Sequence, residues 1–164
     1  DEAIGTMEKM EAHEKGELHR AFSIFIYNSR GEMLLQQRAM SKYHNGGLWT
    51  NACCSHPQPG EAIEVAASRR LKEELGFTTP LKKIFNFTYK ADFPNGLTEY
   101  EYDHVFVGTY DGEIEPDSIE VMAVKFMAQE QLKDDLKHSP ASFTAWFKIA
   151  IRKIDLYYTL GGNL

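Results

Sequence analysis

Apolar residues along this chain follow two rhythms. In "GEAIEVAASRRLKEELGF", residues 60–77, Ile63, Ala67, Leu71 and Leu75 recur every four positions. That spacing puts their side chains on one helical face. Gly60 precedes the stripe and Gly76 stands where a left-handed closing residue belongs, so the pattern predicts one helix between them. Elsewhere the apolar runs are short and broken by turn residues. "AFSIFIYNSRGEMLLQQR" reads as a hairpin turning at 28–31. Residues 39–47, with "NGG" as breaker, predict a loop, and 48–54 a short strand. A strand over 81–92, a "FPNG" turn and a return strand over 97–110 follow, then a strand over 121–127. Helices are expected over 129–137 and 142–160, and the polar stretch 1–20 reads as helix or loop. Strands and helices mix without a strand–helix–strand beat, which favours α+β over a doubly wound α/β sheet.

A length of 164 residues suits one domain, 1–164, with room for a real core. The net charge of −6 comes with no basic stripe, which argues against a nucleic-acid partner. No run of 18 apolar residues is present, so no membrane span is expected. The chain opens on Asp1 without a secretory pattern, and the expectation is that an N-terminal piece is missing. Its two cysteines, Cys53 and Cys54, are adjacent. Their Cα atoms stand about 3.8 Å apart, too close for an easy disulfide. Reduced thiols in a cytoplasm are therefore expected, in a monomer or weak dimer.

Three stretches carry candidate chemistry. In "NACCSHPQPGE", an extended 51–56 turns Cys54 and His56 to one face and Cys53 to the other. By itself this fits two small core fillers as well as a functional thiol. In "TEYEYDHVF", Glu99 and Glu101 are two apart on a strand and share a face. Two carboxylates there need water, a cation or a shared proton, or else a solvated face. In "AHEKGELH", His13 and His19 are six apart, about 20 Å if extended. They reach one metal only if Gly16 turns the chain back; surface positions are the plainer reading. His44, His104 and His138 read as structural or surface residues.

Together these residues resemble known families. The helix resembles a degenerate Nudix box, matched at Glu61, Arg69, Leu71, Glu73, Glu74, Gly76 and Phe77. Ser55 stands in place of the first Gly, and Arg70 in place of a Glu that usually helps to hold a hydrolytic metal. The wider chain is similar to type I isopentenyl diphosphate isomerase, in "AHEKGELHRAF", "QQRAMSKYHNGGLWTNACCSHPQPGE", "RRLKEELG", "YKADFPNGLTEYEYDHVF" and the tryptophan of "SFTAW". The resemblance implies a Nudix-like α/β/α sandwich with a mixed sheet. It implies interconversion of isopentenyl and dimethylallyl diphosphates through a carbocation. Metal ligands would be His13, His19, His56, Glu99 and Glu101, around Mn, Zn or Mg, and an Mg ion with the substrate would meet Glu74. Lys9, Arg38, Lys42 and Arg70 would meet the diphosphate. Cys54 and Glu101 would be acid and base, Tyr89 would steady Glu101, and Trp146 would face the cation. Two rivals are a Nudix pyrophosphohydrolase, which must explain Arg70, and a module that binds a diphosphate or a metal without turnover.

Overall fold

The computed structural model describes residues 1–42 and 45–162; His44 lies outside the described residues. In chain order the elements are α1 (Lys9–Lys15), β1 (His19–Tyr27), β2 (Met33–Arg38), β3 (Trp49–Thr50), β4 (Cys53–Ser55) and α2 (Ile63–Leu75). Then come β5 (Lys82–Asp92), β6 (Thr98–Thr109), β7 (Val121–Met127), α3 (Gln129–His138), a 3₁₀ turn at Pro140–Ser142 and α4 (Ala145–Thr159). The sheet runs β3-β2-β1-β6-β5, with β4 also paired to β1 and β7 to β2. β1 and β6 are parallel and the other pairs antiparallel. This is the expected mixed sheet of an α+β sandwich.

Strand alternation sorts the core into two halves. Phe22, Ile24 and Ile26 of β1 pack with Ala66, Ala67, Leu71 and Leu75 of α2. Phe25 and Tyr27 face the other way, with Trp146, Phe147, Ala150 and Ile154 of α4. One sheet is therefore buried on both faces, which explains why β1 reads as a nearly unbroken apolar run. Among the described residues no helix is long and apolar enough to cross a membrane.

Two expectations need correction. The single strand over 48–54 is split: Thr50 pairs with Gln36 of β2, whereas Cys53, Cys54 and Ser55 pair with Ile24, Ser23 and Phe22 of β1. At the break, the buried Asn51 amide nitrogen donates to the carbonyls of Ile24 and Cys53 at 3.0 and 2.9 Å. A side chain thus stands in for ladder bonds while the chain changes neighbours. The helix stripe is also displaced. Ile63 is only half-buried, while Ala66 and Glu74 are buried beside Ala67, Leu71 and Leu75. A buried carboxylate on the core side of α2 already points to a site.

Gly76 closes α2 with φ 79°, and a Cβ there would lie 2.8 Å from the Glu115 carbonyl oxygen. Gly76→Ala is expected to lower unfolding free energy by about 1–3 kcal/mol. Leu71→Ala, which opens a cavity under α2, is expected to lower it by about 2–5 kcal/mol. Urea denaturation measures both.

Candidate active site

The histidine cluster is assembled by a helix stop. Gly16 takes φ 64° at the end of α1, and the chain doubles back into β1. His13 and His19 then lie with ring centroids 4.9 Å apart, and His56 stands 5.5 and 5.0 Å from them. His19 is in register with Glu101 across the parallel β1–β6 pair. The Nε2 atoms of His13, His19 and His56 lie 3.9, 3.6 and 3.0 Å from one oxygen, Glu101 Oε1. The turn at Gly16 that a shared site requires is present.

Tautomers follow from the outer contacts. Nδ1 of His13 donates to the Lys9 carbonyl at 2.6 Å, and Nδ1 of His19 to the Glu17 carbonyl at 2.7 Å. In neutral rings this leaves the Nε2 lone pairs aimed inward. Burial raises the Glu101 pKa, but the adjacent His19 and His56 rings more than offset it and hold the carboxyl well below its usual range. Nε2 of His19 is buried with no hydrogen-bond partner. Imidazole lone pairs therefore face a carboxylate oxygen, and a cation between them satisfies both. Ligand atoms of His13, His19, His56 and Glu101 lie within 4.8 Å of one another. The donor set fits a divalent ion.

Glu99 stands outside that group of four. Its Oε2 accepts from the Tyr89 hydroxyl at 3.0 Å, while the same hydroxyl donates to Glu101 Oε2 at 2.7 Å. Burial and the adjacent Glu101 charge push the Glu99 pKa up. Tyr89 thus sits where a residue steadying Glu101 belongs.

Cys54 and Cys53 face opposite ways, as alternation requires. Cys53 is fully buried in the α2 half of the core, and Cys54 packs against the α4 half. Sγ of Cys54 accepts from Trp146 Nε1 at 3.0 Å, and its S–H donates to Asn51 Oδ1 at 3.0 Å. Ser23 Oγ lies 3.5 Å from the sulfur and donates to Asp103 Oδ2 at 2.7 Å. Burial, reinforced by the Asp103 charge, pushes the Cys54 pKa up to about 12.

The basic residues meet at the same cleft. Lys9, Arg38, Lys42 and Arg70 line it together with Cys54, His56, Glu74, Glu99, Glu101 and Trp146, around about 580 Å³ including its mouth. Lys9 has its pKa lowered to about 8, by desolvation first and then by Lys42 and Arg38. Burial likewise lowers Lys42, with Arg38 adding to it. Crowded cations at a cleft are the electrostatic form of an anion site. Part of the charge is met by the protein. Arg70 donates to Glu74 at 2.6 Å, to Glu73 at 2.7 Å and to Glu120 at 3.3 Å, and Lys42 pairs with Glu120. Gln36 Nε2 donates to Glu74 at 3.1 Å. Arg38 lies 5.1 Å over the Trp146 ring and so joins the polar end of the cleft to the apolar one.

Sequence reasoning missed Ser23, Gln36, Asn51, Asp103 and Glu120. Asp103 left a trace, as the next step of two after Glu99 and Glu101, and Asn51 opens the stretch "NACCSHPQPGE". The others are ordinary polar residues that tertiary contacts bring to the site. His104 is fully buried with Nε2 3.3 Å from an Asp1 oxygen, and His138 is exposed on α3.

Comparison with known proteins agrees with this geometry. Residues 17–147 match the NUDIX domain family. The isopentenyl-diphosphate Delta-isomerase 2 of Photorhabdus laumondii is 51% identical over 148 residues, 90% of this chain and 84% of that protein. An isopentenyl-diphosphate Delta-isomerase of Serratia proteamaculans is 49% identical over 90% of this chain and 82% of its own. One of Burkholderia multivorans is 47% identical over 95% and 89%. Among solved structures, the MutT protein of Methanosarcina mazei superposes with a TM-score of 0.70 at 18% identity, covering 86% of this chain and 95% of its own. A C. elegans Ap4A hydrolase complex gives 0.61 at 22% identity, covering 86% and 98%. At those identities the structures show the fold alone.

Metal-stripped protein is expected to take up a divalent cation at the histidine cluster, with uptake lost in His19→Ala and His56→Ala. Imidazoles must be deprotonated to ligate, so affinity is expected to fall first as pH drops through the range where His19 protonates: against burial, Glu101 raises its pKa above the ordinary value, whereas burial lowers His56 and brings His13 down to about 4. Calorimetric titration at two pH values reads this; undiminished uptake by both variants would place the ion elsewhere.

Proposed function

The chain belongs to the isopentenyl-diphosphate Delta-isomerase family and interconverts isopentenyl and dimethylallyl diphosphates, a step of isoprenoid biosynthesis; we propose that Cys54 and Glu101 carry its protons. The reaction adds a proton at the terminal methylene carbon and removes one from the carbon beside the diphosphate-bearing carbon. A tertiary cation lies between the two events. It needs an acid and a base on either side of a flat alkene, an electron-rich wall and little water.

One observation carries the assignment. Cys54 on β4 and Glu101 on β6 stand on the two strands that flank β1, and both line the cleft that holds the four cations. Their environments favour different protonation states. Burial keeps the thiol protonated, with its pKa up to about 12, while the histidines keep Glu101 ionised. One group offers a proton and the other can take one, and in the reverse direction the roles exchange. Trp146, almost wholly buried, is the aromatic wall; cation–π attraction there amounts to about 0.5–2 kcal/mol. Tyr89 holds Glu101 Oε2 and so orients the carboxylate.

Lys9, Arg38, Lys42 and Arg70 bind the diphosphate in the same cleft. His13, His19, His56 and Glu101, with Glu99 closing the set, hold a Mn, Zn or Mg ion, and Glu74 meets an Mg ion that accompanies the substrate. When bound, such ions supply fixed positive charge that positions Glu101 and offsets the charge of the diphosphate. Arg70 speaks against the hydrolase reading: it puts a cation on the helix where the Nudix box has a Glu that usually helps to hold a hydrolytic metal.

Incubation with isopentenyl diphosphate in deuterated water tests the function. Label entering the allylic product without released phosphate is expected; phosphate release without isomerised product would favour the hydrolase, and binding without label a non-catalytic module. Cys54→Ala is expected to lower turnover by about 10³-fold or more. Cys53→Ala is expected to keep turnover and cost about 1 kcal/mol of stability. Equal loss in the two would sink the assignment of the faces.

A further inference from the structure

The Cys54 S–H points to a group behind the cleft wall. Cys54 lines the cleft, whereas Asn51, which accepts its hydrogen bond at 3.0 Å, is fully buried and does not. The Asn51 amide can stand only one way round. Both Nδ2 hydrogens are spent on backbone carbonyls, Ile24 at 3.0 Å and Cys53 at 2.9 Å, and carbonyls only accept. Oδ1 must therefore face the other side, where Thr50 Oγ1 donates to it at 2.9 Å. Thr50 Oγ1 accepts in turn from Thr144 Oγ1 at 3.1 Å. Thr144 is the residue before α4, and Trp146 in the first turn of α4 donates to Cys54 Sγ at 3.0 Å. The donors form a closed circuit: Thr144 to Thr50 to Asn51 Oδ1, met from the other side by Cys54, which Trp146 holds from above.

We propose that Asn51 is a positioning residue for Cys54: a carbonyl oxygen, locked by two backbone contacts, that fixes the direction of the S–H and the seat of the sulfur against the cleft. This rests on the reading of Cys54 as a proton carrier. Asn51 touches no substrate. It holds the resting proton on the far side of the sulfur from the cleft, and rotation about the Cβ–Sγ bond then presents that proton to a bound alkene. The side chain that splits β3 from β4 is the same one that aims the thiol, so the break in the strand and the aim of the sulfur have one cause. Gln is too long to reach both carbonyls, and Asp lacks the two donors.

The S–H stretching band in the infrared reads this contact directly, because a donated S–H hydrogen bond lowers its frequency. Cys53→Ala leaves Cys54 as the one thiol. In that background the band is expected at low frequency, moving up in Asn51→Ala, with kcat down about tenfold or more and KM within about twofold. Asn51→Ala also frees two carbonyls and could unfold the protein, so Thr50→Val is the second variant. It removes the competing donor to Oδ1, and the band is expected to move further down. A band that stays put in Thr50→Val, or in a folded Asn51→Ala, overturns the proposal, as does an unchanged kcat in the latter. If Cys54→Ala were still to turn over, the proton-carrier reading would fail while the band shifts still reported the contact.

Discussion

The site depends on how β1 is flanked. β6 runs parallel to it on one side and β4 antiparallel on the other. The parallel register sets His19 against Glu101 and Ser23 against Val105, and the antiparallel one sets Ser23 against Cys54. Because strand side chains alternate, each pairing also decides which face a residue serves. A slip of one residue in either ladder would send Glu101 or Cys54 into the apolar half under α2. Burial of β1 on both faces makes such slips costly, since Phe22 and Phe25, on opposite faces, are both fully buried.

Charge is then distributed in a way that no single residue explains. Glu101 collects three imidazoles and a tyrosine hydroxyl, and it stays ionised although buried. Glu99, two positions away, receives less compensation and is pushed up in pKa. In the same cleft, Glu74 and Glu120 answer Arg70 and Lys42. Cys54 and Trp146 line the same cleft as His56, Glu101 and the crowded cations. In α2, Arg70 puts a cation where the Nudix motif has an anion.

Much of this was legible in the chain. The period-four stripe and its closing glycine mark α2, and apolar runs broken at 28–31 and 93–96 mark the two hairpin-like turns. Strand β7 falls on the residues the pattern indicates. Alternation alone parts Cys53 from Cys54, and the step of two groups Glu99 with Glu101. Motif resemblance then brought the separated segments into one family. The split of 48–54 was not legible, because Asn51 competes with the ladder only once the carbonyl of Ile24, 27 positions earlier, is beside it. The buried place of Glu74 was equally hidden, since its partner Gln36 lies 38 positions away.

By itself, then, the sequence determined the local periods, the turn positions, the face each strand residue takes and the family. These depend on backbone geometry and on residue types within a few positions. Only the tertiary structure decided which histidines share a carboxylate oxygen, that one tyrosine hydroxyl reaches both Glu99 and Glu101, and that Asn51 and Trp146 grip one sulfur. The decisive contacts, Trp146 to Cys54 and His56 to Glu101, both at 3.0 Å, join residues 92 and 45 positions apart. They are set by strand register and by the seating of α4, which no local pattern encodes.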